Sequence, residues 1–300
     1  MKLIKLFGLQ NVLLLALGMF IFKYGFLDLQ AGTDLALNQW QYGLMVLAFM
    51  LIAAGGAFIN NVAGVGKENT TKYSESTAYN IYIALTLVGV GLGYYIANFT
   101  GRPMFSGVFI AGAATLYIYA TSLKQTILVS NILIALTIAL PFVAIGVFTL
   151  FPMLADHNRV LLATLFDLML DYALFVFAIG LLITMVKDLA TIDEDYNAGI
   201  TTLPIALGRA RALKVALAFT IVPLLMLFYY GNKYIIDLTI SLGYGLLFIA
   251  GPLVYFILKG WSAKTQKDFI HLETVLKIAL FFTLLSITVI TLNIQYNAKG

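Results

Sequence analysis

Apolar stretches of about 20 residues recur from one end of this chain to the other, and each is long enough as a helix to cross a hydrocarbon core of about 30 Å. Between polar breaks they run Asn11–Leu27, Tyr42–Asn60, Ala78–Asn98, Phe105–Tyr119, Ile127–Phe151, Val160–Val186, Ala212–Tyr230, Leu238–Leu258 and Val275–Ile290. The same pattern excludes a soluble fold. Of 300 residues, 61% are hydrophobic and 11% charged, against roughly 25% charged in soluble domains. The chain therefore reads as an all-α polytopic membrane protein with nine transmembrane helices in a single transmembrane domain, residues 1–300. Lys2 and Lys5 before the first run resemble a secretory leader. Lys23-Tyr-Gly-Phe follows where a small-residue cleavage site belongs, so the run reads as a retained first span.

Nine spans put alternate connections on opposite sides, and the 18 cations test that order. Lys23, Arg102, Arg159, Lys233 and Lys299 fall on one side and all the others on the side of the N-terminus. The positive-inside bias then predicts a cytoplasmic N-terminus and a C-terminus on the opposite side. A net charge of +4 could suggest nucleic acid in a soluble protein, but here the cations edge the spans, so no nucleic-acid partner is implied. The absence of cysteine excludes disulfides, thiol nucleophiles and thiolate metal sites. Gly55, Gly56, Gly89, Gly91 and Gly93 predict close helix approach in lipid, where packing drives association. Pro141 and Pro223 predict kinks.

The longest polar connections, residues 61–77, 187–211 and 259–274, all fall on the cytoplasmic side. The middle one carries Lys187-Asp188-Leu-Ala-Thr-Ile-Asp193-Glu194-Asp195-Tyr-Asn197, four carboxylates within eight residues. On a helix continuing past Val186, Asp188 and Asp195 share a face, with Thr191 between them. Two carboxylates so placed can hold a hard cation such as Mg²⁺; the alternative is a solvated acidic loop. Asp167 and Asp171 are expected near the outer interface, and His157 and His271 have no ligand spacing to each other.

The run KDLATIDEDYNAGITTLPIALGRARA resembles the second signature of the UbiA superfamily of membrane prenyltransferases, an Asp-rich helix and loop followed by a Gly…Thr-Leu-Pro-Ile…Gly segment. Tyr117-Ile-Tyr119-Ala-Thr-Ser-Leu123-Lys124, then Asn131 opening an apolar helix, is similar to another family segment, and Asn11 stands where the family commonly has an Asn. The resemblance covers nearly the whole chain and is to Bacteroidetes-type members, which places it in a bacterial inner membrane. It implies a UbiA-like nine-helix bundle around a lipid-accessible chamber. It also implies transfer of an isoprenyl group from its diphosphate to a lipid or aromatic acceptor with Mg²⁺. Carried over residue by residue, Asp188 and Asp195 are the catalytic candidates, and Asp188, Asp193 and Asp195 the metal candidates. Lys124, Arg209 and Arg211 would clamp the diphosphate, with Asn60 and Asn11 as further cofactor-binding residues; membrane lipids surround the whole.

The chain departs from the family at polar positions. The first motif, normally Asn-Asp-x-x-Asp-x-x-x-Asp, aligns without a gap on Asn60, Asn61, Gly64 and Glu68; aligned on Val65-Gly66-Lys67 and Ser74-Glu75, it is largely absent. In the second motif Thr191 takes the middle acid's place, and Ala190 and Glu194 stand where an acid and a glycine are common. Ile183-Thr184 replaces an Arg-Glu pair, and Gly8 stands at the family's Arg near the first span. These losses predict weakened turnover, or a catalytically inactive isoprenoid-binding or partner-binding protein. A transporter is disfavoured because the spans show no inverted repeat.

Overall fold

The computed structural model describes residues 2–62 and 74–298, and among them no strand occurs. Among the described residues nine helical segments are long and apolar enough to cross a membrane: α1 Leu9–Leu29, α2 Gln39–Val62, α3 Ser76–Phe99, α4 Pro103–Thr121, α5 Val129–Met153, α6 Arg159–Ala190, α7 Arg209–Ile235, α8 Thr239–Gly260 and α9 Gln266–Asn297. They hold 19 to 32 residues each, about 28 to 48 Å at roughly 1.5 Å per residue. The nine sequence runs all reappear. The helices extend beyond them where hydropathy alone gives no signal.

The largest extension is at α9, which begins at Gln266 rather than at the apolar onset near Val275. The start is set by a cap: Thr265 Oγ1 accepts the Asp268 N–H at 3.2 Å while Asp268 Oδ2 accepts the Thr265 N–H at 2.9 Å. Two otherwise unpaired donors of the first turn are thereby satisfied. The helix thus starts in the polar connection, ahead of its apolar stretch.

The chain forms two compact units. The first comprises residues 1–19 and 32–173. Its core is aromatic: Phe109 lies 4.7 Å from Phe49 and 5.3 Å from Phe148, ring centre to ring centre. Tyr42, also fully buried, donates to the Met19 carbonyl at 2.6 Å. α2 packs against α3 where Gly89 leaves room, and α4 approaches α3 at Gly93. A Cβ at Gly89 would sit 2.8 Å from Ile52 Cγ1, and one at Gly93 would sit 2.3 Å from the Phe109 ring. Gly91, expected to serve the same purpose, faces open space. Neighbours two residues apart point to different sides of a helix, so only one of the pair can meet Phe109.

The second unit comprises residues 20–31 and 174–300. Buried polar groups tie it together. Asn293 Oδ1 accepts from both the N–H and the hydroxyl of Ser241 at 3.0 Å, and Tyr244 donates to the Phe282 carbonyl at 3.0 Å. Lys23, only 4% exposed, pairs with Asp28. An unpaired charge at that depth would be costly, so each carries the other. The expected kink at Pro223 is a break: α7 is interrupted at Thr220, because Pro223 has no N–H for the Phe219 carbonyl. Pro141 instead stays inside a continuous helix, Val129–Thr149.

Candidate functional site

The acidic connection is built almost entirely from helix. α6 runs four residues past Val186 to Ala190, and the hydrogen-bond ladder continues: the Thr191 N–H reaches the Lys187 carbonyl at 3.0 Å and the Asp195 N–H the Thr191 carbonyl at 2.9 Å. Thr191 itself leaves helical geometry, with ψ near 10°. The short helix Ile192–Asn197 that follows has Asp193, Glu194 and Asp195 in its first turn, where carboxylates suit the positive end of the backbone dipoles.

Two glycines bracket the next segment. Gly199, at φ +68°, closes the short helix with its N–H on Tyr196, while the Ile200 N–H returns to the Asp195 carbonyl at 2.9 Å. Gly208, at φ +83°, separates the helical turn Leu203–Leu207 from α7. Only glycine adopts these conformations at little cost. The Gly…Thr-Leu-Pro-Ile…Gly spacing is therefore a folding instruction.

Asp195 is the most enclosed acid, 5% exposed, and Thr191 Oγ1 donates to its Oδ2 at 2.8 Å. Thr191, at the middle place of the Asp188…Asp195 run, thus supplies a hydroxyl that orients the last acid. Asp188 is half-buried on α6. Asp193 is exposed and held differently: Arg209 Nη2 reaches its two carboxylate oxygens at 3.2 and 3.4 Å. The guanidinium also lies 6.0 Å from the Phe269 ring centre. Arg211 is exposed two positions along α7 from Arg209, so the pair does not share one face.

In the first unit, Asn60 ends α2 with its Oδ1 buried and meeting no hydrogen-bond partner. Its neighbour Asn61 is spent on structure, donating to the Lys5 and Leu6 carbonyls at 3.2 and 3.0 Å. Gly64 and Glu68 lie outside the described residues. Lys124 is half-buried in the turn Leu123–Gln125. Asn11 is exposed on the first turn of α1, and Gly8 makes the turn before it at φ +58°. His157 is exposed, and Asp167 exposed and Asp171 half-buried lie on α6.

Among the described residues no three His, Asp or Glu side chains converge as a metal cluster, so Asp188, Asp193 and Asp195 are not gathered on one point. Mg²⁺ does not require such a cage, since it binds through one or two carboxylates, waters and substrate phosphate oxygens. The carboxylate oxygens of Asp188 and Asp195 are ligands of that kind. Sequence reasoning missed two residues. Thr202, 3% exposed, keeps a hydroxyl with no hydrogen-bond partner; its place just before Leu-Pro marked a helix cap, but the cap bond is not made. Phe269 had no sequence signal, being one apolar residue among many.

A polytopic helical membrane protein with one acidic, glycine-bracketed connection is the class this geometry defines. No protein-family profile matches the chain. The fold matches that of a digeranylgeranylglyceryl phosphate synthase, at a TM-score of 0.63 and 18% identity over 96% of this chain and 97% of that one. It also matches a UbiA homologue from Archaeoglobus fulgidus bound to GPP and Mg²⁺, at 0.59 and 17% over 95% and 100%. In sequence, the digeranylgeranylglyceryl phosphate synthase of Sulfolobus acidocaldarius is 29% identical over 170 residues, 55% of this chain. The match spans only 57% of that relative's length. The chain thus shares its fold with these proteins, a UbiA-like arrangement of helices as the resemblance implied.

Proposed function

We propose that the chain is a UbiA-type integral membrane prenyltransferase that moves an isoprenyl group, geranylgeranyl in the first instance, from its diphosphate to a lipid acceptor. The observation that carries this reading is the acidic connection on a UbiA fold, in which a buried Asp195 is oriented by Thr191 and followed by the glycine-bracketed Thr-Leu-Pro-Ile segment. A lipid acceptor is preferred to an aromatic one because the partial sequence relative is named for synthesis of a glyceryl phosphate lipid. Mg²⁺, when bound, would neutralise the departing diphosphate. Asp188 and Asp195 are its proposed holders, with Asp193 reassigned as the partner that positions Arg209. Thr191 keeps Asp195 in one orientation through a charge-assisted bond. Lys124 and Arg211 stand as candidate diphosphate contacts, and Asn60 and Asn11 as further polar groups of the first unit. The N-terminus and the acidic connection are proposed to face the cytoplasm, with the C-terminus opposite. Single introduced cysteines, on a chain that has none, report sidedness by labelling with an impermeant maleimide.

A second reading, an isoprenoid-binding protein without turnover, is favoured by one feature: Asn61, at a first-motif acid position, is committed to the Lys5 and Leu6 carbonyls. Transfer of radiolabelled geranylgeranyl diphosphate to geranylgeranylglyceryl phosphate by purified protein with Mg²⁺, beside Asp188→Ala, separates the two. Turnover that falls by about 10²–10³ in the variant supports the enzyme, that being the usual loss when one electrostatic element is removed. No turnover above the variant, with labelled lipid retained, supports the binder.

A further inference from the structure

The hairpin between α8 and α9 carries a cluster that prenyl transfer does not use. Tyr255 Oη and His271 Nε2 lie 3.0 Å apart, with the rings edge to face at 5.8 Å between centres. Both side chains are exposed. The bond fixes the register of two helices joined only by residues 261–265. One helical turn nearer the connection, Lys259 follows Tyr255 and Lys267 precedes His271, each four residues away and so on the same face as its neighbour. Two lysines therefore stand beyond a tyrosine–imidazole pair, with Lys264 in the connection itself.

The local acids cancel only part of this charge: Asp268 remains a carboxylate and feels Lys259, against three lysines. Asp268 Oδ2 is taken by the N–H groups of Lys264 and Thr265 and by the Thr265 hydroxyl. Glu273 pairs with Lys277 at 2.7 Å. Among the described residues no ion pair engages Lys259, Lys264 or Lys267. Next to these cations, Trp261 is 78% and Leu258 70% exposed. Bare indole and leucyl surface beside a net-cationic lysine cluster, at the end of two spanning helices, matches the boundary where acyl chains meet headgroups.

We infer that this hairpin face binds the phosphate of an anionic phospholipid. Lys259 and Lys267 meet the phosphate, and the remaining ring nitrogen of His271, held by Tyr255, offers a hydrogen bond. Trp261 and Leu258 lie against the upper acyl chain. A lipid suits the site better than a free anion because only a lipid presents phosphate and hydrocarbon together. The inference is independent of the prenyl reading.

The test is native mass spectrometry of the full chain released from nanodiscs of equimolar phosphatidylglycerol and phosphatidylcholine. Wild type is expected to retain phosphatidylglycerol selectively. Lys259→Gln and Lys267→Gln should each lower that retention about fivefold, the usual worth of one basic residue at an anionic surface. Tyr255→Phe should lower it less, with helicity by circular dichroism unchanged in all three. Equal retention of the two lipids, or full retention in the double lysine variant, would overturn the assignment. Complete displacement of phosphatidylglycerol by millimolar inorganic phosphate would overturn the lipid as occupant and leave a free-anion site.

Discussion

The ends of α2 and α6 each carry a polar cluster, and the two are used in opposite ways. At the end of α2 the polar groups are amides, and Asn61 spends its donors on the carbonyls of the N-terminal helix Lys2–Leu6. At the end of α6 they are carboxylates, and the neighbouring side chains serve to orient them: Thr191 holds Asp195, and Arg209 holds Asp193. The first end has become an element of packing. The second holds its acids in set orientations, and the backbone around them is fixed by Gly199 and Gly208.

Substitutions that act on one end should therefore leave the other untouched. The largest effect is expected from Asp188→Ala, which should abolish most transfer activity with little change in thermal stability, as read by activity and unfolding in parallel. Next comes Thr191→Val. It removes a bond to a buried carboxylate, worth about 1.5–3 kcal/mol, and should lower the midpoint of thermal unfolding in detergent. Gly208→Ala forces a side chain into a positive-φ, extended conformation that only glycine adopts readily, at about 1–3 kcal/mol, again as a lowered midpoint, with the α7 amides exchanging faster. Asn61→Ala should cost about 0.5–1.5 kcal/mol and show as faster hydrogen exchange confined to residues 2–6, with transfer activity unchanged. Asp193→Asn is the smallest. Its pair with Arg209 is largely solvated and worth about 0–1 kcal/mol, so stability should stay within error. If Asp193→Asn instead matched Asp188→Ala in activity, Asp193 would be a ligand holder and not a positioning residue.

Much of the acidic end was legible in sequence because its determinants are local. Asp188, Asp195 and the two glycines sit within 21 residues, and helix register with positive-φ glycine places them without long-range contacts. Less could be read of the partners. The resemblance groups Arg209 and Arg211 with Lys124 as one diphosphate clamp; their closeness in sequence does not show that they lie on different faces of α7 or that Arg209 meets Asp193. Gly91 and Gly93 looked equivalent for the same reason, and only the position of Phe109 distinguishes them.

By itself the sequence determined the nine spanning helices, since hydrocarbon thickness and backbone hydrogen bonding admit few other solutions for such apolar runs. It also determined where the acidic connection falls and which family it resembles. The tertiary structure decided that Asp195 is enclosed and held by Thr191, that Arg209 lies between Asp193 and Phe269, and that Tyr255 meets His271. Those outcomes depend on contacts between segments distant along the chain or on small departures from ideal helix geometry. Neither is encoded in a local pattern; both follow from how side chains of fixed shape fit once the helices have packed.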